Sequence, residues 1–456
     1  MLCVNKNNPA PTHLNSLTDF RQQVYALFEN QHDVLFEILD AIVQTPAARS
    51  YAELSMASAL TRQWPSIYSA LADGTVDTQG LRELCLGQLP REKSRLHFAL
   101  DVTAVRRMHS PTLNERVFCH GAQREVSGKG IIIGLPYSIL AYVEKPGTSW
   151  APAVHTERVK PDETAVEVAL RQASWVAEQL PAEKTSQIAL DGGYGNLKFF
   201  SGMRGVRTFA TARMRNDRVL HHLPPAPPKG KKKKRGRSRK YGPEFRFADP
   251  STWPTPDETL EFEDPKFGRV RLELWSALRF RVKKQVVDIA VVRSQIRLEK
   301  DQPPAPHWYG VHHGTDEETT LARIFECITH RWPIEPANRF RKERLYAELP
   351  KMRQAEASDL WLQLLQIVEW ELYLWRPAAS DSHLPWQKPL STEQLTPGRV
   401  IRSLSENLER VGTPVSPVLP RGKSPGWQPG RHRTRPATYR LESKKRKKAL
   451  EMSKSE

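Results

Sequence analysis

Cysteine is scarce in this sequence: the four residues Cys3, Cys85, Cys119 and Cys327 include no Cys-x-x-Cys pair. That excludes a structural zinc ribbon and a disulfide-stapled scaffold. Long apolar runs are missing too. The longest, such as Ile131–Leu135, are strand-sized, so no bilayer span is expected. The opening stretch MLCVNKNNPAPTH lacks the apolar core of a secretory signal. Acidic residues fall short of basic ones, 51 against 69, which leaves a formal net charge of +18 and a pI of about 9.8. This imbalance points to a polyanionic partner such as nucleic acid, and to a cytoplasmic, nucleoid-associated protein. Histone-like packaging is excluded, because 39% hydrophobic residues and 12 tryptophans demand a real core. A chain of 456 residues suffices for two to four domains.

Residues 1–94 read as a helical N-terminal domain. Apolar residues recur at helical spacing from Leu17 to Val43, again over Tyr51–Leu71 with a break at Trp64-Pro65, and around Leu81–Leu89. Such short helices suit a DNA reader of helix-turn-helix type, and equally a helical cap or dimerisation element. At Arg95 the composition changes, and residues 95–215 alternate strands with a helix. Leu96–Leu100 is a buried strand ending on Asp101, Val117–His120 is a second, and Gly128–Glu144 supplies a third in two pieces. An amphipathic helix over Asp162–Leu180 follows, then a strand Gln187–Leu190 ending on Asp191, then a short strand Val206–Ala210. In open sheets with parallel strands, chemistry collects at the carboxyl ends of neighbouring strands. Asp101 and Asp191 are therefore expected side by side, although each alone would also suit a turn or cap.

Residues 216–300 read as a basic, β-rich insertion. Lys229–Lys240 carries nine Lys or Arg in twelve positions, with Lys231, Lys232, Lys233 and Lys234 in an unbroken run. Such a run cannot pack; it either contacts phosphates or serves as a solvated linker. Alternation returns over Arg269–Arg297. Residues 301–376 return to the core with helices over Glu317–Ile328 and Asp359–Trp375. Residues 377–456, rich in Pro, Gly and basic side chains and carrying Lys444–Lys448, read as a partly disordered, DNA-associated tail.

Between those two helices lies Thr329–Glu343, with the lone acid Glu335 among Arg331, Arg339, Arg341 and Lys342. Pro333 and Pro336 can share a helix only in its first turn, so the sequence predicts a helix from Trp332 or Pro333 through Leu345. Glu335, Arg339 and Lys342 then share a face, and the macrodipole favours a carboxylate near the N-terminus. The pattern suits a metal ion on one side and phosphate on the other; ordinary surface ion pairs would look the same. With Asp101 and Asp191 upstream, Glu335 becomes the candidate third carboxylate of a divalent-metal site. Two such ions about 4 Å apart serve the attacking and leaving oxygens of a phosphodiester. Lys342 and Arg331 are then the phosphate contacts, Arg339 a lesser one, and Arg341 is expected to be solvated.

On Asp101 in LHFALDVT, Asp191 in IALDGGYGN, and Arg331, Glu335 and Lys342 in HRWPIEPANRFRK, the chain resembles DDE-type insertion-sequence transposases. The resemblance is to the group with a Tyr-Arg-Glu-Lys signature: Arg331-x3-Glu335-x6-Lys342 matches its spacing, while Ile328 stands where the tyrosine would. It extends in outline from Arg95 to Trp375. It implies an α/β fold: an RNase H-like mixed sheet flanked by helices, with a β-rich insertion before the glutamate helix. It implies two Mg2+ ions, replaceable by Mn2+, on Asp101, Asp191 and Glu335, with Arg331 and Lys342 on the terminal phosphates. The implied reaction is hydrolytic nicking at element ends, then attack of the freed 3′-hydroxyls on target DNA. The implied partners are double-stranded DNA and a second subunit in a homodimeric synaptic complex, with no membrane involved. Trp308 or Trp275 would correspond to the tryptophan that stabilises a flipped base in related transposases, with a core or boundary position as the favoured alternative for either. Two other readings stay open: a decayed or domesticated DNA-binding protein, supported by the missing tyrosine, and an RNase H-like nuclease acting on RNA or hybrids.

Overall fold

The apolar periodicity of residues 17–43 builds two helices rather than one. Helix α1 (Pro11–Leu27) runs into a short strand β1 (Phe28–Asn30), and α2 (His32–Gln44) starts afresh. The break is at Gln31, whose φ of 58° lies in the left-handed region that no right-handed helix accommodates. Next come α3 (Tyr51–Leu54), α4 (Pro65–Asp73), β2 (Thr75–Val76), which pairs with β1, and α5 (Thr78–Gly87). Pro65 occupies the first turn of α4, where its missing N–H costs nothing. The Asp77 carboxylate caps α5 by accepting from the amides of Gln79 and Gly80. The computed structural model describes residues 11–45, 48, 50–121, 130–225, 239–282, 286–297, 306–314, 319–348, 351–418, 426, 428–432 and 434–442. Lys231–Lys234 and Lys444–Lys448 lie outside the described residues.

From Arg95 onward the chain lays down β3 (Arg95–Arg106), β4 (Val117–His120), β5 (Ile131–Tyr142), β6 (Ala153–Arg158), α6 (Ala165–Gln179), β7 (Thr185–Leu190), α7 (Leu197–Gly202) and β8 (Thr208–Met214). There follow β9 (Val219–His222), β10 (Glu244–Arg246), β11 (Glu258–Asp264), β12 (Gly268–Phe280), β13 (Val287–Ile296) and β14 (His307–His312). Helices α8 (Leu321–Thr329), α9 (Ile334–Glu343), α10 (Ala355–Trp375) and α11 (Pro397–Val411) complete the described elements. Twelve strands form one mixed sheet in the order β10-β9-β12-β13-β14-β8-β7-β3-β5-β4, with β11 on β12 and β6 on β5. This is the mixed α/β sheet flanked by helices that the sequence led one to expect.

Among the described residues only the β3–β7 and β7–β8 pairings are parallel. The β-rich segment before the glutamate helix is continuous with the central sheet, because β13 pairs with β14 and β14 with β8. Strand β3 does not stop at Asp101. It continues to Arg106 because β5 pairs with it from Phe98–Tyr142 through Arg106–Gly134. Strand β5 is likewise a single strand, not two pieces.

Helix α10 is the hub of the core. It spans 21 residues and is buried around most of its circumference, packing on α1, α2, α4, α11 and β6. Its buried tryptophans are each satisfied at the indole N–H: Trp361 donates to the Tyr346 carbonyl, Trp370 to the Ala153 carbonyl and Trp375 to Ser403 Oγ. Helix α11 departs from expectation, since residues 397–411 were read as part of a tail. Val400, Ile401, Leu404, Leu408 and Val411 form an apolar face buried against α2 and α10.

A buried ion triad ties the N-terminal helices to this hub. Arg21 on α1 reaches Asp40 on α2 at 2.8 Å and Glu371 on α10 at 2.7 Å. Arg21→Met would leave both carboxylates buried and uncompensated, which costs roughly 3–5 kcal/mol. Urea denaturation should show that loss, and replacing all three residues with apolar side chains should recover most of it. An R21M protein within about 1 kcal/mol of wild type would contradict this role for the triad.

Candidate active site

Parallel pairing of β3 with β7 aligns Leu100 with Leu190; the next residues are Asp101, within β3, and Asp191, just past the end of β7. Both line a cavity of about 480 Å³ whose walls are otherwise largely apolar, including Val102, Phe118, Pro136, Val159 and Ala165. Burial, and then the adjacent Asp191 charge, push the Asp101 carboxyl up to about 6, while Arg331 pulls it the other way. Asp191 opens the Asp-Gly-Gly-Tyr-Gly turn, and its Oδ1 accepts from the Gly193 amide at 2.8 Å. Gly195 is required there, since a Cβ would meet the Arg213 carbonyl oxygen on β8 at 2.1 Å. The same turn buries Tyr194, whose phenol is raised by burial and by the charges of Asp101 and Asp191.

Helix α9 packs against β3 and carries the third carboxylate. Glu335 sits in its first turn, half-exposed, and accepts a hydrogen bond from Arg331, one turn before it. Glu335 is near enough to Asp101 to raise its carboxyl, as the weakest of the causes acting there. Among the described residues no three His, Cys, Asp or Glu side chains converge as a ready-made metal cage. Asp101 and Asp191 are brought together, whereas Glu335 is engaged with Arg331.

Lys342, two turns after Glu335, lies near Asp101 and 4.0 Å from Glu348. Burial lowers its ammonium from the ordinary range, with Glu348 and Asp101 acting against that shift. Arg339 is exposed. Arg341, expected to be solvated, is instead buried at 2% exposure and paired with Glu369 on α10, Nε to Oε1 at 2.7 Å. The helix rotation explains the difference: Ile334, Ala337, Asn338 and Arg341 form the buried stripe of α9.

Other residues at the site carried no sequence signal. Asn338 Nδ2 approaches Asp101 Oδ2 at 3.4 Å, and an isolated asparagine on a basic helix is unremarkable in a sequence. His97 precedes Asp101 by four positions on the same face of β3. It stacks on His330, with ring centroids 3.8 Å apart, and so anchors the α8–α9 turn beside Arg331. Phe118 on β4 is 56% exposed at the cavity wall, and Trp332, next to Arg331, is 49% exposed. Glu442, within the segment read as a tail, also lines the cavity; its amide donates to the Arg116 carbonyl.

Trp308 and Trp275 do not face the carboxylates. Both are buried in an aromatic cluster with Phe245, Phe247 and Trp253, Trp308 stacking on Phe247 at 4.3 Å. That packing leaves neither ring free to receive a base. Ile328, at the position of the signature tyrosine, is a buried residue of α8.

The family model for DDE superfamily endonucleases matches residues 23–273, just over half of the chain. The matched region includes Asp101 and Asp191 and ends before Glu335. No curated protein matches the chain.

The aspartate pair has a consequence for stability. A carboxyl whose folded pKa lies above its unfolded value holds its proton more tightly in the folded protein. Its contribution therefore falls as pH rises from about 4 to about 6, and beyond that the ionised group is a constant cost. A rise from 3.8 to about 6 sets that cost at no more than about 3 kcal/mol. Asp101→Asn, which cannot ionise, is expected to stabilise the protein by up to that amount at about pH 8 and hardly at all at about pH 4. Thermal denaturation across that range is the check; an Asn variant no more stable than wild type at the alkaline end would contradict the buried-pair reading.

Proposed function

The chain belongs to the DDE superfamily of endonucleases, and on that premise we propose that it is a DNA transposase of a bacterial insertion sequence. It would nick element ends by hydrolysis and join the freed 3′-hydroxyls to target DNA, acting as a homodimer on paired ends. The observation that carries this reading is the placement of Asp101 beside Asp191 in one cavity, with α9 laid against β3.

The donor set fits divalent cations. Two hard carboxylates stand close enough that one raises the proton affinity of the other, a repulsion that a divalent cation relieves. Glu335 is tethered to Arg331 by a half-exposed ion pair, an interaction worth at most about 1 kcal/mol, so its carboxylate is free to turn toward the aspartates. Asp101, Asp191 and Glu335 would hold Mg2+, two ions in all, with Mn2+ as a substitute. When bound, the metal supplies Lewis-acid activation of the phosphodiester and of the attacking oxygen.

The chain's own residues supply the rest. Arg331 and Lys342 flank Asp101 and would hold the DNA backbone, neutralising charge that develops on the phosphate. Arg339 and the Lys231–Lys234 run would add contacts farther along the duplex. Phe118 and Trp332 offer exposed aromatic faces near the carboxylates, suited to bases rather than phosphates. Both displacements break one P–O bond and form another, with no covalent link to the protein. A second reading is favoured by Ile328 in place of the signature tyrosine and by the Glu335–Arg331 pair: a protein that binds DNA without cutting it.

Purified protein incubated with element-end duplex and Mg2+ or Mn2+ should give nicks and strand-transfer products, and Asp191→Ala should abolish both. Binding without cleavage by wild type would favour the second reading, and faster cleavage of an RNA–DNA hybrid than of the duplex would favour an RNase H-like nuclease. Separately, Lys231–Lys234 changed to Ser should weaken non-specific DNA binding. The log–log salt slope should flatten by roughly 0.9 for each phosphate that the lysines no longer neutralise. An unchanged slope would return that run to a linker.

A further inference from the structure

We infer that Asn338 is a positioning residue for Asp101, and that Arg341 with Glu369 determines which end of its amide faces the aspartate. The inference rests on the endonuclease reading above and adds to it residues outside the three carboxylates.

Asn338 is 8% exposed and lies one turn beyond Glu335 on α9. Its Oδ1 accepts from Arg341 Nη1, and its Nδ2 points to Asp101 Oδ2 at 3.4 Å. The orientation follows from chemistry. A guanidinium has donors only, so the acceptor end of the amide must face Arg341, which turns the NH2 end to the carboxylate. The other oxygen of Asp101 accepts from the Val102 amide at 2.8 Å. Both oxygens are thus held by donors, and each keeps a lone pair for a ligand in the cavity.

Arg341 is fixed in turn. Its Nε and Nη2 meet Glu369 Oε1 and Oε2 at 2.7 and 2.8 Å, and Glu369 Oε2 also accepts from the Ala153 amide on β6 at 3.0 Å. An unbroken polar chain therefore runs from the β6–α10 core to Asp101. A buried ion pair is no more stabilising than well-packed apolar side chains of similar volume, so stability alone does not account for this one. Direction does: an apolar pair would hold α9 on α10 but would not orient the Asn338 amide. Asparagine also suits the site for its neutrality, since a carboxylate there would add a third charge against Asp101 and Asp191.

The test uses the full-length protein with three readouts: thermal stability, Mn2+ affinity by electron paramagnetic resonance, and single-turnover nicking of element-end duplex. Asn338→Leu should keep a melting temperature close to wild type, bind Mn2+ roughly 10–100-fold more weakly and slow nicking, with DNA affinity unchanged. If leucine does not fold there, Asn338→Ser, too short to span Arg341 and Asp101, serves instead. Arg341→Lys should weaken Mn2+ binding when Asn338 is present and add nothing in the Asn338→Leu background, because it acts through that amide. Wild-type Mn2+ affinity in Asn338→Leu, or additive effects of the two changes, would overturn the inference while the endonuclease reading stood. Mn2+ binding by wild type that Asp191→Ala does not reduce would overturn that reading, and the inference with it.

Discussion

Asp101 and Asp191 stand side by side because two parallel strands, far apart in sequence, run in one register, with Leu100 opposite Leu190. That alignment sets two carboxylates beside each other on the wall of one cavity. The Asp101 carboxyl is raised to about 6 by burial and by its neighbour. The fold tolerates it because α10 and the surrounding helices supply a large apolar core, and because α9 brings compensating groups to the cavity edge.

Helix α9 solves a problem of charge. It carries an acid and several cations beside two aspartates. Its rotation separates the roles. Arg341 is turned inward and paired with Glu369, and it reaches Asp101 through the neutral amide of Asn338. Arg331 and Lys342 stay near the cavity, close enough to bias Asp101, yet partly exposed and so accessible to a phosphate backbone. The His97–His330 stack fixes the turn just before α9, which sets where Arg331 and Glu335 begin.

Much of this was legible in the sequence where the signal was local. The apolar strand that ends before Asp191 and the prolines that mark the start of α9 each obey short-range rules, and the elements they predicted are present. The readings that departed from the structure depended on partners distant in sequence. Strand β3 outruns Asp101 because β5 pairs with it, and α11 forms because α2 and α10 bury its apolar face. The inward turn of Arg341 depends on Glu369, 28 positions away on another helix. Helical spacing puts Arg341 on the face of Ile334 and Ala337 and Arg339 on the face of Glu335, but the carboxylate that lets an arginine be buried there is outside α9. Trp308 and Trp275 are core residues, the favoured reading, and their place in one aromatic cluster is set by strand pairing.

The central claim is that Asp101 and Asp191, joined by Glu335, form one divalent-metal site. Anomalous diffraction from a crystal of the protein with Mn2+ and element-end DNA tests it most directly. The account predicts Mn2+ density between Asp101 and Asp191, with the Glu335 carboxylate turned from Arg331 into the same coordination sphere. Mn2+ bound elsewhere, or at the aspartates with Glu335 still held by Arg331, would contradict it.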